Sequence, residues 1–365
     1  MKTTSRSMKL KTMAAVAIAI LYVLLYINIG NAQNTATTKQ TGALEVVAEL
    51  NFRPGNVAVS KQGRVFATAH PLGENAFQLF EVNNSKTTTP FPSAAFQKNN
   101  GPATDGTLDT PLGLTFDKQD RLWVIDMGLT RGATRLWCFD IAKAKLLRVI
   151  ELTQEIAPRG SFVQDLAIDE KNQWAYLADI ASPGIIALDL KTEKARRFSK
   201  SKALQPEDVD MIIDQKLTYF NGAPARIGVN PITLSDNRET LYFGSMNGKT
   251  WYEVPTAFFR TGKDDAAIEA AIRNNGKKPI SDGVQTDAKG NHYFTNLTEH
   301  AISKRGKDGK LVNLIQDKRL NWPDNLALSA SGYIYISVNQ LNTTPAFTGG
   351  KDLGTAPYFI YRFKE

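Results

Sequence analysis

The stretch GLTFDKQDRLWVID, residues 113–126, decides the fold class. A small residue leads into a short alternating segment, a polar turn follows, and the apolar run from Leu122 to Ile125 completes the unit. Alternation of apolar and polar residues predicts a β-strand with one face toward a core, and turn residues between two such runs predict a hairpin. The stretch therefore predicts two neighbouring strands of an antiparallel sheet.

The same pattern occurs six times along the chain. Each copy has a strand, a turn containing Gly, Asp or Asn, and a second strand, and the copies cover residues 56–68, 113–126, 165–179, 231–244, 283–296 and 325–337. Their lead apolar positions are 42 to 66 residues apart, which suits a four-stranded blade and is too long for a solenoid repeat. We therefore predict an all-β fold, a six-bladed β-propeller.

Further strands and the two chain ends complete this prediction. The last copy is followed by a single strand at 358–363, so we expect residues 44–50 to supply the missing strand and to close the ring by pairing of the N- and C-terminal strands. Residues 200–226 lack alternation and predict a loop, whereas 264–273 place acidic residues before good helix formers and predict one short inserted helix. Third strands are predicted at 77–82, 135–140, 184–190, 249–254 and 301–305. Fourth strands are predicted from 91 onward and at 146–152, 195–198 and 311–316.

The first 32 residues have the character of an export signal. Basic residues precede an apolar run from Met13 to Ile29, and Gly30 and Ala32 are the small residues expected before a cleavage site. The alternative is an uncleaved anchor, because the run is long enough to span a bilayer. We expect a signal peptide (1–32), a linker (33–42) and the propeller (43–365). The mature protein is then secreted, to the periplasm or the extracellular space, and is free of the membrane.

Composition and charge restrict the classes of function. Cleavage after Ala32 lowers the formal net charge from +8 to +4, and the remaining Lys and Arg residues form no extended basic face, so nucleic-acid binding is not indicated. The single Cys138 lies in an apolar strand and cannot form an internal disulfide. The three histidines match no metal or nucleophile motif. His70 follows the second strand of the first copy and is expected in a solvated loop, with a position at the rim of the propeller as the alternative. A closed propeller has no long exposed strand edge, so we expect a monomer.

A series of short motifs carries a resemblance to a known family. The motifs are RLWVIDMG (121–128), AYLAD (175–179), TLYF (240–243) with VPT (254–256), SDGV (281–284), and WPDNL (322–326) with NQL (339–341). In their order and approximate spacing they resemble the yellow / major royal jelly protein family, over roughly residues 45–363. The resemblance implies a six-bladed propeller and a secreted location. That family includes nutrient proteins, ligand binders and members of pigmentation pathways, so its chemistry is less defined than its fold.

The starts of the inner strands define where a ligand is expected to bind. Inner strands of a propeller converge on the axis, so the residues before each lead apolar position surround one opening. A polar, mildly acidic mouth of this kind suits a cationic or hydroxyl-rich small molecule. The alternative is that its Asp and Asn side chains cap turns and strand starts. The predicted ligand-binding residues are Asn56, Gln164, Asp165, Asn230, Asp282, Trp322, Asp324 and Asn325.

A more distant resemblance, to gluconolactonase and regucalcin propellers, implies a second hypothesis. Those proteins hold a divalent metal in the funnel, and Asn230 and Asp282 match two of the ligand positions, whereas Pro54 and Gln164 stand where that family has Glu and Asn. The implied function is a lactone hydrolase that uses Ca²⁺ or a similar cation as Lewis acid. The first hypothesis is a yellow-type binder of a small polar or amine ligand, with Asp282, Asp324 and Asn230 accepting its hydrogen bonds. The sequence leaves open whether the protein is an enzyme.

Overall fold

The computed structural model describes residues 42–365 apart from positions 74, 76 and 100. The predicted signal peptide, and the predicted linker up to residue 41, lie outside the described residues. Within the described part, the strands form six four-stranded antiparallel sheets and two small two-stranded sheets. No helix in this part is long and apolar enough to cross a membrane.

Each four-stranded sheet is one blade, and its strands follow one another in sequence from the axis outward. The first strand of the chain, β1 (Glu45–Leu50), is the exception because it belongs to the last blade. Blade 1 contains β2 (Pro54–Val59), β3 (Val65–Ala69), β4 (Leu79–Asn84) and β5 (Thr87–Pro90). Blade 2 contains β6 (Pro111–Phe116), β7 (Arg121–Asp126), β8 (Arg135–Asp140) and β9 (Lys145–Glu151). Blade 3 contains β10 (Val163–Asp169), β11 (Trp174–Asp179), β12 (Gly184–Asp189) and β13 (Ala195–Phe198).

The second half of the ring repeats this arrangement after an insertion of two small hairpins. The hairpins are β14 (Ile212–Ile213) with β15 (Lys216–Leu217), and β16 (Tyr219–Phe220) with β17 (Ala223–Pro224). Blade 4 contains β18 (Val229–Leu234), β19 (Thr240–Ser245), β20 (Thr250–Pro255) and β21 (Arg273–Lys277). Blade 5 contains β22 (Val284–Thr286), β23 (His292–Asn296), β24 (Ala301–Arg305) and β25 (Leu311–Gln316). Blade 6 contains β26 (Pro323–Leu328), β27 (Tyr333–Val338), β28 (Tyr358–Lys364) and β1.

The two ends of the described chain meet in blade 6. Strand β1 pairs antiparallel with β28, with Val46 opposite Tyr361 and Leu50 opposite Tyr358. The N-terminal strand is thus the outermost strand of blade 6, and the other three strands of that blade come from the C-terminal end of the chain. This pairing confirms the predicted closure of a six-bladed propeller.

Apolar side chains fill the spaces between neighbouring blades. Both faces of a blade are covered, so all six residues of β2 and of β18 are buried. The recurring aromatic positions, such as Trp123 and Tyr335, lie in these clusters, where packing explains them. Cys138 is buried in the cluster between blades 2 and 3, and burial raises the pKa of its thiol to about 12.

Local elements differ from the prediction at a few places. The expected helix is present as α2 (Asp265–Ala271), and Asp264 caps it by accepting a hydrogen bond from the Ala267 N–H at 2.8 Å. It ends earlier than expected, because the chain from Arg273 becomes the outer strand of blade 4. The fourth strand of blade 1 is the polar β5 rather than a segment from Phe91 onward; β5 has few apolar residues to signal it. One-turn helices α1 (Ala257–Arg260) and α3 (Pro345–Thr348) were not predicted.

Candidate functional site

The inner strands of all six blades neighbour one another around the axis. Neighbouring inner strands approach so closely that glycine is required at two contacts. Gly113 lies against the carbonyl oxygen of Gln164, and a Cβ atom at Gly283 would lie 2.7 Å from the carbonyl oxygen of Asp324. The register shifts near the start of β2, β6, β10, β18 and β26, and such bulges re-aim side chains at the end of a strand. These features bring the starts of different blades together.

Asp282, two residues before the start of β22, is the centre of a hydrogen-bond network. Its Oδ1 accepts from Asn230 Nδ2 at 2.5 Å and from Gln164 Nε2 at 3.2 Å, and its Oδ2 accepts from Trp322 Nε1 at 2.8 Å. Trp322 has a φ of 57°, a left-handed conformation that a bulky residue rarely adopts. The structure thus joins four of the predicted site residues, contributed by blades 3, 4, 5 and 6.

Asp324, the second residue of β26, is held by a neutral amide. Its Oδ2 accepts from Asn339 Nδ2 at 2.6 Å, and among the described residues Oδ1 has no hydrogen-bond donor. The backbone carbonyl of Asn339 in turn accepts from Arg53 Nε at 3.1 Å. The Arg53 guanidinium forms a bidentate pair with Asp352, at 2.6 and 2.7 Å, so its charge is neutralised there rather than by Asp324.

Burial of three carboxyl groups in one region changes their protonation. Burial raises the pKa of Asp282 to about 6, against the opposing effect of its three hydrogen-bond donors. Burial also raises the pKa of Asp165 and of Asp324 well above the ordinary value, and the negative charge of Asp282 adds to both shifts. All three carboxyl groups therefore ionise less readily than an exposed aspartate.

Lys278 is a buried cation near this group that the sequence analysis did not identify. Its Nζ donates to the carbonyl oxygens of Gly248 at 2.8 Å and Pro279 at 3.0 Å, and burial lowers its pKa to about 7. The opposing effects of Glu207 and Asp282 are smaller. The positive charge of Lys278 favours the ionised form of Asp282.

A cavity of about 320 Å³ lies at the same end of the axis, and Gln164, Asp282, Trp322 and Asp324 line it. Most of its other lining side chains are apolar and come from loops and insertions: Phe162, Ile180, Phe220, Met246, Leu341 and Phe347. The Phe347 ring lies 5.0 Å from the Phe220 ring and 5.0 Å from the Trp322 ring, between centroids. The cavity thus combines buried carboxyl groups with aromatic walls.

Four predicted residues do not line the cavity: Asn230, which contacts Asp282, and three others that are buried at strand starts, Asn56, Asp165 and Asn325. Asp165 Oδ1 accepts from the backbone N–H of Leu166 at 2.9 Å. The backbone N–H groups of Asn56 and Asn325 donate to hydroxyl groups on the adjacent strand, at 3.1 and 3.3 Å. Only the Asp165 contact is a side-chain cap of the kind named as the alternative, and the side-chain oxygen of Asn325 has no hydrogen-bond partner among the described residues.

The expectation that His70 lies in a solvated loop was wrong. The side chain is 3% exposed and lines the cavity, and it also borders a neighbouring cavity with Gln78, Lys98 and Asp109. The alternative position, at a rim, is the better description: His70 directly follows β3, which runs antiparallel to β2 and so ends where the inner strands start. Phe220 and Phe347 gave no such signal, because they lie in segments without the repeat pattern.

The oxygen atoms of the two residues proposed as metal ligands already accept N–H hydrogen bonds. Asp282 accepts three of them, and Asn230 Oδ1 accepts from Gln164 Nε2. A divalent cation at these atoms would face N–H groups instead of the oxygen shell it requires. Within the described residues, no group of three or more His, Cys, Asp or Glu side chains is placed to hold a metal ion. This donor set does not fit a divalent cation.

Fold and site together define a six-bladed propeller with an acidic, aromatic-walled pocket at one end of its axis. The family model of the major royal jelly proteins matches residues 110–348, and the chain belongs to that family. Major royal jelly protein 9 of Apis mellifera is 22% identical over 349 residues, covering 88% of this chain and 73% of the relative. Major royal jelly protein 2 of the same species is 29% identical over 262 residues, covering 68% of this chain and 53% of that relative.

Solved structures share the fold at low sequence identity. A gluconolactonase from Xanthomonas campestris has a TM-score of 0.51 at 13% identity, with 88% of this chain and 89% of that chain covered. A luciferin-regenerating enzyme has a TM-score of 0.53 at 11% identity, with 89% and 95% covered. At these identities the likeness extends to the propeller architecture and not to the chemistry of the pocket.

Proposed function

We propose that the protein is a secreted propeller that binds a small organic amine in the axial cavity. The ammonium group lies between Asp282 and Asp324, and the apolar part of the ligand packs against Trp322, Phe220 and Phe347. The observation that carries this proposal is a pair of buried carboxyl groups that line an aromatic cavity without a salt bridge among the described residues.

The carboxyl groups favour a cation for a physical reason. Burying a carboxylate is costly, and the raised pKa values of Asp282 and Asp324 reflect that cost. Lys278 offsets only part of it for Asp282, and Arg226, which also lines the cavity, pairs with Asp208 and Asp210 instead. A ligand ammonium group can replace the missing charge and donate to Asp324 Oδ1. We therefore expect amine binding to release a proton whenever Asp324 is protonated in the free protein.

The aromatic walls and the size of the cavity restrict the rest of the ligand. A volume of about 320 Å³ is at the low end of small-molecule pockets, which favours a ligand with a single ring. Aromatic faces also attract ammonium groups, with a benefit of about 0.5–2 kcal/mol. Aromatic monoamines satisfy both conditions.

The first prediction tests the charge at the site. The variant Asp324→Asn keeps the shape of the side chain and removes its charge, so we expect its affinity for 2-phenylethylamine to fall about tenfold or more in isothermal titration calorimetry. Asp236→Asn is the matched control, because Asp236 is an exposed aspartate that pairs with Lys118. Its affinity for the amine should equal that of the wild type.

Two results would contradict the proposal. The first is tight binding of the neutral analogue 3-phenylpropan-1-ol with no binding of the amine, which would point to a hydroxyl-rich ligand instead. The second is amine binding that requires added Ca²⁺ and is abolished by EDTA, which would restore the metal hypothesis despite the donor set described above.

A further inference from the structure

Two adjoining cavities lie at the end of the propeller opposite to the axial cavity. They flank the turn between β6 and β7, where the inner strand of blade 2 ends, whereas the axial cavity lies where the inner strands start. The smaller one, of about 180 Å³, faces blade 3, and the larger one, of about 620 Å³, faces blade 1. Gln119 and Arg121 line both. A ligand that extends past Arg121 can therefore occupy both cavities.

Arg121 presents a fixed guanidinium group between the two cavities. Its Nε donates to Asp117 Oδ2 at 2.7 Å, and its guanidinium carbon lies 5.5 Å from the centre of the Trp123 ring. Trp123 Nε1 donates to the same carboxylate oxygen at 2.8 Å. Among the described residues, the two Nη atoms of Arg121 have no hydrogen-bond partner, and the side chain is 37% exposed. The buried Asp117 thus orients Arg121 and leaves its terminal N–H groups to a ligand.

The smaller cavity is rich in N–H donors. Arg148 lines it as a second guanidinium group, and within the described part of the chain only its Nη2 is occupied, by Glu193 at 2.8 Å. The side-chain amide of Gln173 also lines it and has no hydrogen-bond partner among the described residues. Glu170 brings a carboxylate, but both of its oxygens accept from Arg238, at 3.1 and 3.4 Å. The unused groups are therefore mostly donors, which suits an anionic oxygen group such as a carboxylate.

The larger cavity suits an uncharged part of a ligand that carries hydroxyl groups. Arg64 lines it but is already occupied by the carboxylate of Glu81 and the carbonyl oxygen of Ile141. Asp120 accepts from a backbone N–H through Oδ1 at 2.9 Å, and its Oδ2 can accept from a hydroxyl group. Leu147, which is 49% exposed, adds an apolar surface. A sugar ring matches this combination, because it has hydroxyl groups at its rim and C–H groups on its faces.

We propose that the two cavities form a saccharide site for a uronic acid. Arg121 and Arg148 hold its carboxylate in the smaller cavity, and a neutral sugar linked to it occupies the larger one. A second carboxylate in the larger cavity is disfavoured, because Asp120 and Asp140 line it. This site is independent of the axial cavity, so it does not rest on the proposed binding of an amine.

Cellobiouronic acid and cellobiose test this inference in the full mature chain, because they differ only by a carboxylate in place of a hydroxymethyl group. We expect the wild type to bind the acid about tenfold or more tighter in calorimetry at low salt, as charge-assisted hydrogen bonds would provide. Added salt should reduce this difference. Glucuronic acid and inorganic phosphate should both bind more weakly than cellobiouronic acid, because each fills only one cavity.

Variants of the two arginines test the position of the carboxylate. We expect Arg121→Gln and Arg148→Gln each to lower the affinity for cellobiouronic acid about tenfold, with a much smaller effect on cellobiose. The Arg148 side chain is 32% exposed, so this variant tests the site even if Arg121→Gln does not fold. Arg362→Gln is the matched control and should bind like the wild type. Arg362 also pairs with a carboxylate and lies over an aromatic ring, that of Tyr333, but lines neither cavity.

Three results would overturn the inference. The first is that the wild type binds neither disaccharide or binds both equally, and the second is that the folded arginine variants keep the affinity of the wild type. The third is that inorganic phosphate binds as tightly as cellobiouronic acid, which would indicate a site for simple anions. The amine site is tested separately, because Asp324→Asn should leave the affinity for cellobiouronic acid unchanged.

Discussion

Asp282 shows how one residue combines structural and functional demands. Three donors, from Gln164, Asn230 and Trp322, hold its carboxyl group in one orientation. The same donors stabilise the ionised form, while burial opposes ionisation more strongly and leaves the pKa at about 6. A carboxyl group with this pKa changes its charge just below neutral pH, so we expect the proposed amine binding to weaken in mild acid.

The pH dependence of amine binding follows from this pKa. The ligand amine is protonated throughout the range, so binding requires ionised carboxyl groups, and protonation of Asp282 below about pH 6 removes one of them. We expect the affinity for 2-phenylethylamine to fall about tenfold from pH 7 to pH 5. The raised pKa values of Asp324 and Asp165 act in the same direction. Lys278, with a pKa of about 7, gains positive charge over the same range and so also weakens amine binding. His70 contributes nothing, because its pKa of about 3 lies below the range.

Calorimetry in two buffers of different ionisation enthalpy measures this linkage directly. At pH 6, amine binding should release protons, and the observed binding enthalpy should depend on the buffer. An affinity that is the same at pH 5 and pH 7, with no proton release, would show that these carboxyl groups do not hold the amine.

At the scale of elements, the strands and the insertions have different tasks. The inner strands place polar residues at the axis, whereas β16, α3 and the loop residue Trp322 supply aromatic walls. Strand β1 closes the ring by pairing with β28. Its Ala48 and Leu50 are buried in the cluster between blades 6 and 1.

Removal of β1 should destabilise the whole propeller. A chain that begins at Asn51 loses the outer strand of blade 6, its hydrogen bonds to β28 and the burial of Ala48 and Leu50. We expect the free energy of unfolding in urea to fall by about 4 kcal/mol or more, a large part of the stability of a typical domain. A chain that begins at Ala43 is the control, and it should unfold like the mature protein.

An equal unfolding midpoint for the two truncated chains would contradict the role assigned to β1. A synthetic peptide of residues 43–50 provides a further check. If strand pairing is what was lost, the peptide should restore stability to the shorter chain when added in excess.

The whole molecule combines the propeller with an N-terminal segment of export-signal character. We expect the exported protein to begin at Gln33, because cleavage after Ala32 follows the small-residue rule, and intact mass spectrometry measures the start directly. Replacing the small residue, in Ala32→Leu, should slow or shift cleavage, whereas Gln33→Asn should leave it unchanged. Recovery of the full-length chain in the membrane fraction would support the uncleaved anchor instead.

Much of the fold was predictable because its determinants are local. Alternating strands and Gly or Asp turns recur in each blade, and the unpaired segment at 44–50 matched the single strand at 358–363, so both blade number and closure followed. The polar strand β5 and the short helices α1 and α3 were missed, because few apolar residues mark them. Of the predicted site residues, Gln164, Asp282, Trp322 and Asp324 line the cavity, since repeat position indicates which residues face the axis.

By itself, the sequence determined the class of fold, the number of blades and the ring of polar residues at the inner-strand starts. These features depend on residues close together in the chain, and the repeat copies them six times. Only the tertiary structure decided which of those residues meet, because the contacts of Asp282 come from three other blades. It also brought His70, Phe220 and Phe347 to the cavity, and it buried the three aspartates deeply enough to raise their pKa values. Burial and cross-blade contact are properties of the closed ring, and no local pattern in the sequence encodes them.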